Sequence, residues 1–230
     1  MSRHATWNRY RSVLNQLFVF HEKHGKLRVN PIVGVKEFRM KEAETFERVF
    51  SDEEIAALLE SFDSDDNKRV GAFFRLLLYT GARASEAVTM LWNQIDVKRG
   101  LITITGESKT YRVRRIPIHP SGLVPFLNAI CPEKIQRTDT VFPHGYRTTA
   151  LSVNNWGKLL RRRLNALGFP PAGLHAFRRT FATQLARQGV NIATLQKLAG
   201  WKSIAMAQRY VRLNDNDTRQ AILDLDYTAK

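Results

Sequence analysis

The sequence is short of several things, and each shortage removes a class of protein. There is one cysteine, Cys131, in 230 residues. A lone thiol closes no intramolecular disulfide, so the chain must hold its fold by packing, and a reducing compartment is its natural setting. No Cys/His spacing of a zinc site is present, and the six histidines form no ligand cluster; no metal and no other cofactor is expected. Long hydrophobic runs are missing too. The stretch AFFRLLLYTGA is broken by Arg75 and is far too short to span a bilayer. The opening MSRHATWNRY lacks the apolar run of a signal peptide. No internal repeat is visible. These absences point away from a membrane and toward the cytoplasm, in a bacterial or viral setting.

Negative charge is also scarce. Lys and Arg number 36 against 21 Asp and Glu, a formal charge of +15 and a pI near 10.4. Such a balance calls for a polyanionic partner, nucleic acid or an anionic surface. The charges are segregated. Asp52, Glu53, Glu54, Glu60, Asp63, Asp65 and Asp66 make one acidic block, and Asp215, Asp217, Asp224 and Asp226 make another in the tail. Basic residues gather at Lys109, Arg112, Arg114 and Arg115, and again at Lys158, Arg161, Arg162 and Arg163. A solvated helix face would explain any one group. Two basic groups beside two acidic ones favour a one-sided phosphate-binding surface.

The patterning predicts a mainly α chain with a small antiparallel sheet, an α+β arrangement. An amphipathic helix over 7–24 carries Trp7, Tyr10, Leu14, Leu17 and Phe18 on one side, and an aperiodic segment with Gly25, Pro31 and Gly34 follows. One helix cannot bury its own apolar face. Ser51 and Glu54 then make a capping box ahead of an apolar stripe. Helices are predicted over 68–80, ending at Gly81, and over 84–91. The stretch GLITITGESKTYRVRRIPIHP reads as a hairpin, with Ile102/Ile104 and Val113/Ile116/Ile118 flanking a polar tip. Further helices are predicted over about 121–130, 152–167, 174–188, 191–199, 203–212 and 217–227. The domain division is set at 1–40 and 41–230.

Six residues carry chemistry. Arg83 opens a helix just after Gly81, with Glu86 three residues on, where an arginine beside free backbone N–H groups can hold a phosphate. Lys109 sits near the hairpin tip. His175 and Arg178, three apart at a helix start, set a proton-exchanging group beside a fixed cation. Trp201 follows Gly200, and its indole can only donate a hydrogen bond. Tyr210 lies nine residues further on, at the edge of a stripe with Met206, Ala207 and Leu213. Each has an ordinary explanation alone: a surface arginine, a turn lysine, a core aromatic.

In register they resemble the tyrosine recombinase, or phage integrase, family. TGARASE, HAFRRTFAT and LAGW…RY match that family's three boxes in order and spacing, and SKTYRVRRIPI matches its lysine hairpin, with Pro117 eight residues after Lys109. The resemblance runs from about FSDEEI to RYVRL. It implies the recombinase catalytic-domain fold, with residues 1–40 as a remnant of an N-terminal DNA-clamp domain plus linker; the chain is then either a fragment, the preferred reading, or one of the small DNA-inversion enzymes that manage with little more than a catalytic domain. It implies Arg83, Lys109, His175, Arg178, Trp201 and Tyr210 as catalytic residues, with Glu86 in support. Arg112, Arg114, Arg115, Lys158, Arg161, Arg162 and Arg179 are then expected to bind DNA. The family usually has histidine at the position of Trp201, so a packing and hydrogen-bonding role replaces proton transfer there. Site-specific recombination through a 3′-phosphotyrosyl link, without ATP or metal, is the activity implied. A type IB topoisomerase and a silent DNA-binding regulator are the rival readings. The partners implied are double-stranded DNA sites, three further copies in a tetramer formed on DNA from monomers, and accessory DNA-bending proteins. The setting implied is the nucleoid of a bacterial host.

Overall fold

Caps and apolar stripes written into the sequence set the helices. The computed structural model describes residues 3–37, 48–105, 113–136, 138–144, 147–150 and 153–211. In chain order the elements are α1 (Arg3–Lys23), α2 (Asp52–Asp63), α3 (Lys68–Thr80), α4 (Ala84–Val88), a 3-10 turn (Trp92–Gln94), β1 (Ile95–Asp96), β2 (Leu101–Ile104), β3 (Arg114–Pro117), α5 (Val124–Ile130), β4 (Pro143–His144), β5 (Arg147–Ala150), α6 (Val153–Ala166), α7 (His175–Arg187), α8 (Ile192–Ala199) and α9 (Ile204–Val211). Lys109, Arg112 and the tail predicted as a helix over 217–227 lie outside the described residues.

The chain forms two compact units, Met1–Glu47 and Arg48–Lys230. In the first, the segment after α1 folds back on it. Asn30 donates to Asn15 at 2.8 Å, and Arg11 donates to the carbonyl of Val35 at 2.5 Å and to Glu37 at 2.7 Å. Tyr10, Leu14 and Leu17 stay exposed.

The second unit is built around α3. The capping box ahead of α2 forms as expected, Ser51 Oγ accepting from the Glu54 N–H and the Glu54 carboxylate accepting from the Ser51 N–H. Residues all round α3 are buried, and it packs on α2, α5 and α7. Phe73 stacks on Trp156 of α6, ring centroids 3.8 Å apart, and Phe74 stacks on Phe62 of α2 at 3.9 Å. Each such side chain contributes about 1.5–3 kcal/mol on leaving water. Arg75, which breaks the apolar run in sequence, is accommodated by Asp63 of α2 through two hydrogen bonds of 2.5 and 2.6 Å and by the face of Phe126 at 3.6 Å.

A second, smaller core joins α7, α8 and α9: Ala182, Ala186, Leu195, Ala199, Trp201 and Ala207 are buried, with Tyr210 packed against them. The alanines let the helices approach closely while burying little area.

Three local readings change. The helix over 84–91 stops at Val88, because the backbone of 90–92 pairs instead with 139–141: Val141 N–H donates to Met90 O and Trp92 N–H to Asp139 O. The ribbon β4–β5 was not foreseen. In the hairpin, Val113 is exposed and precedes the strand. Strand β3 pairs with β2 in the register Ile104↔Arg114 and Ile102↔Ile116, so Arg114 shares the buried face with Ile116.

Candidate active site

The site begins where α3 ends. Gly81 caps it with φ +58, and a Cβ there would meet the Phe181 ring of α7 at 2.3 Å. A glycine is needed on both counts, and it lets α7 lie against the end of α3. The chain then turns into α4, with Arg83 as N-cap. Glu86 reaches back to accept from the Arg83 backbone N–H at 2.7 Å and from the Arg83 guanidinium at 3.0 Å. That short loop thus fixes one arginine at a helix start.

Arg178 comes from the first turn of α7 and is buried. It donates to the carbonyl of Gly81 at 2.7 Å and to the carbonyl of Ala199. These are the C-terminal ends of α3 and α8, where partial negative charge collects and a cation is favoured. Burial above all, and then the neighbouring Arg83 and Arg114, pull the Arg178 guanidinium down to about 10, with Glu86 and Tyr210 acting the other way. It remains a cation at neutral pH.

Gly200 ends α8 and leads directly into Trp201, which is buried. The Tyr210 ring stacks on the Trp201 indole, centroids 5.0 Å apart and planes within 11°. The Arg178 guanidinium lies 5.7 Å from the same indole centroid. His175 opens α7 with an exposed side chain. It lines, with Arg83, Lys158, Arg161, Asn154 and Gly157, an open cavity of about 500 Å³. A second hollow of about 490 Å³ continues along α6, lined by Lys158, Arg161 and Arg162. A groove lined by Arg83, Lys158 and Arg161 suits a run of phosphates.

The structure therefore brings Arg83, Glu86, Arg178, Trp201 and Tyr210 into one cluster and sets His175 at its rim. Arg115 is exposed and Arg179 half-buried. Arg114 is a correction. It was expected to bind DNA, yet it is 6% exposed and gives both terminal nitrogens to Glu86, at 3.1 and 2.7 Å. The reason is parity: Arg114 and Ile116 alternate on the inward face of β3, and Ile118 just beyond it is buried in the same phase. The sequence hides this alternation by setting Val113, of the opposite parity, beside it. Burial pushes the Glu86 carboxyl up, but Arg114 and then Arg83 outweigh it and hold the group below its ordinary range.

The sequence model of the phage integrase family matches residues 48–217. The chain belongs to that family. The matched span holds every member of the cluster. The tyrosine recombinase XerC of Staphylococcus carnosus strain TM300 is 27% identical over 242 residues, covering 99% of this chain and 77% of the relative. A tyrosine recombinase of Thermosipho africanus strain TCF52B is 26% identical over 224 residues, covering 97% and 77%. The Tn1549 transposon integrase, solved with a circular intermediate DNA, superposes with a TM-score of 0.77 at 20% identity, covering 97% of this chain and 79% of that one. This integrase-family chain is accordingly a tyrosine-type site-specific recombinase, and the topoisomerase and silent-regulator readings fall away.

Proposed function

We propose that this recombinase cuts and rejoins duplex DNA with Tyr210 as nucleophile and Arg83 and Arg178 as the clamp on the scissile phosphate. The observation that carries this reading is the stack of Tyr210 on Trp201 beside buried Arg178. It supports the reading because the phenol ring and one fixed guanidinium, Arg178, share the same indole. Attack of the Tyr210 oxygen on phosphorus forms a P–O bond as the P–O5′ bond breaks. The product is a 3′-phosphotyrosyl ester and a 5′-hydroxyl. One phosphoester replaces another, so no ATP is consumed, and a second strand's 5′-hydroxyl reverses the step. The attacking phenol, whose reference pKa is about 10, needs its proton taken and cations nearby. His175 is the base in this reading, and Lys109 protonates the departing 5′-oxygen. Arg83 and Arg178 meet the charge that grows on the non-bridging oxygens.

Lys158, Arg161, Arg162, Arg115 and Arg179, with Arg112, track the DNA backbone in this reading, and residues 1–40 contribute to gripping the DNA. Strand exchange needs several sites at once, so the working form is a homo-tetramer on two DNA sites, assembled from monomers with accessory DNA-bending proteins. It acts in the cytoplasm on the nucleoid of a bacterial host. Among the described residues no helix is long and apolar enough to cross a membrane.

The test is covalent capture. The protein is incubated with nicked suicide duplexes taken from a randomised pool and run on a denaturing gel. The expected result is a protein–DNA adduct that disappears in Tyr210→Phe. An adduct that persists in that variant overturns the nucleophile assignment.

A further inference from the structure

We infer that Arg114 is a positioning residue for strand cleavage: it neutralises Glu86, so that Glu86 can aim Arg83 at the phosphate without cancelling Arg83's charge. The inference rests on the reading of Arg83 and Arg178 as the phosphate clamp.

The hydrogen bonds carry it. One oxygen of Glu86 accepts from the Arg83 guanidinium at 3.0 Å and from Arg114 Nη1 at 3.1 Å. The other accepts from the Arg83 backbone N–H at 2.7 Å and from Arg114 Nη2 at 2.7 Å. Held from both sides, the carboxylate has no freedom to turn. Arg114 lies edge-on to it in a paired, two-bond geometry, the strong form of this interaction. Among the described residues Arg114 Nε has no hydrogen-bond acceptor, so Glu86 supplies the polar compensation that this buried guanidinium receives.

The charges give the reason. Three guanidiniums, Arg83, Arg114 and Arg178, surround one carboxylate, which leaves two positive charges. A phosphodiester carries one negative charge and gains a second in the five-coordinate transition state. The cluster is matched to that state. Without Arg114 the carboxylate would draw its compensation from Arg83, and the clamp would offer one net charge at the moment two are needed. Of the two arginines, Arg114 does more to keep Glu86 ionised.

The fold makes room for this arrangement at some cost. A Cβ on Gly200 would meet Arg114 Cδ and Nη1 at 2.9 Å, and Gly200 sits at φ +65. Arg114 therefore lies flat against the residue that precedes Trp201. Strand β3, α4 and the α8–α9 junction meet at a single guanidinium.

The test is a double-mutant cycle on the full chain. Variants R114M, R114K, E86Q and E86Q/R114M are compared by single-turnover cleavage of the suicide duplex at saturating protein, well below each melting midpoint. Affinity is measured separately by band shift. Replacing Arg114 by Met in the wild-type background is expected to slow cleavage by about 100-fold, the range for removing a transition-state donor, with affinity changed less than about threefold. R114K, which keeps the charge, recovers at least about tenfold of that loss. In the E86Q background the same Met substitution costs less than about threefold, because no carboxylate remains to be neutralised. Equal factors in the two backgrounds overturn the inference, as does a wild-type rate in R114M. Should R114M fail to fold, R114Q and E86Q/R114Q replace the Met pair in the cycle, and the same criterion of equal factors decides. An adduct surviving in Tyr210→Phe would sink the reading of the site itself. Loss of the adduct there, with additive effects at Arg114, sinks this inference alone.

Discussion

Trp201 and Tyr210 pack face to face. The two rings lie nearly parallel with centroids 5.0 Å apart, an offset stack of the kind that contributes about 0.5–1.5 kcal/mol beyond burial. If the stack orients the phenol, the ring matters more than the indole N–H. Trp201→Phe is expected to keep cleavage within about tenfold of wild type, whereas Trp201→Ala loses about another tenfold, the equivalent of roughly 1.4 kcal/mol. Single-turnover rates on the suicide duplex check both. Glu86 makes a separate expectation about pH. Its carboxyl is held below the ordinary 4.5 when folded. The stability it contributes is therefore complete above about pH 4.5 and disappears as pH falls through the lower folded value. Urea unfolding of wild type and E86Q should differ most at pH 6–8, with wild type the more stable. The gap should narrow as pH falls below 4.5 and close once it has passed the lower folded value. A gap that persisted there would show that Glu86 acts through packing rather than charge.

Among the elements, the junction of α3 and α7 is the one most sensitive to a single atom. Gly81→Ala must accommodate both a left-handed φ and a Cβ 2.3 Å from the Phe181 ring. About 2–4 kcal/mol of lost stability is expected from strain and overpacking together, measured by urea unfolding. Phe181→Leu in the same background should restore part of it. This junction was legible in the sequence, because TGAR writes a helix stop, a glycine and a helix start in four residues. So were the Ser51 capping box, the span of α3 and the Trp156, Leu160 and Leu164 stripe of α6. The inward role of Arg114 was not, since a basic hairpin suggests a basic surface and Val113 takes the opposite parity to the one expected. Nor was the end of α4. It depends on backbone pairing with residues nearly fifty positions away, which no local period records. Arg83, Arg178, Trp201 and Tyr210 stand out through spacing between boxes, not through any property of their own segments.

For the whole molecule the excess of positive charge is the governing quantity. Lys158 and Arg161 of α6 line both hollows beside the site. Lys158→Ala combined with Arg161→Ala should weaken binding of all DNA sequences alike. The slope of log affinity against log salt should become shallower by about 0.9 for each phosphate no longer neutralised. Binding titrations between about 50 and 200 mM salt measure it. Cleavage at saturating protein should change far less, because these residues stand along the groove and not at the arginine pair. A loss of rate at saturation would move them into the chemistry.

The helix that bears Tyr210 is fastened lightly. Of the described side chains of α9, Ala207 is fully buried, while Ile204 and Met206 remain exposed. A helix with so little buried apolar surface detaches at lower free energy than the core around α3. On the proposed reading this is also the helix that becomes covalently joined to DNA. Force on a cleaved strand would then reach the protein at a lightly packed element, so the tether would yield and swing while the arginine cluster kept its shape.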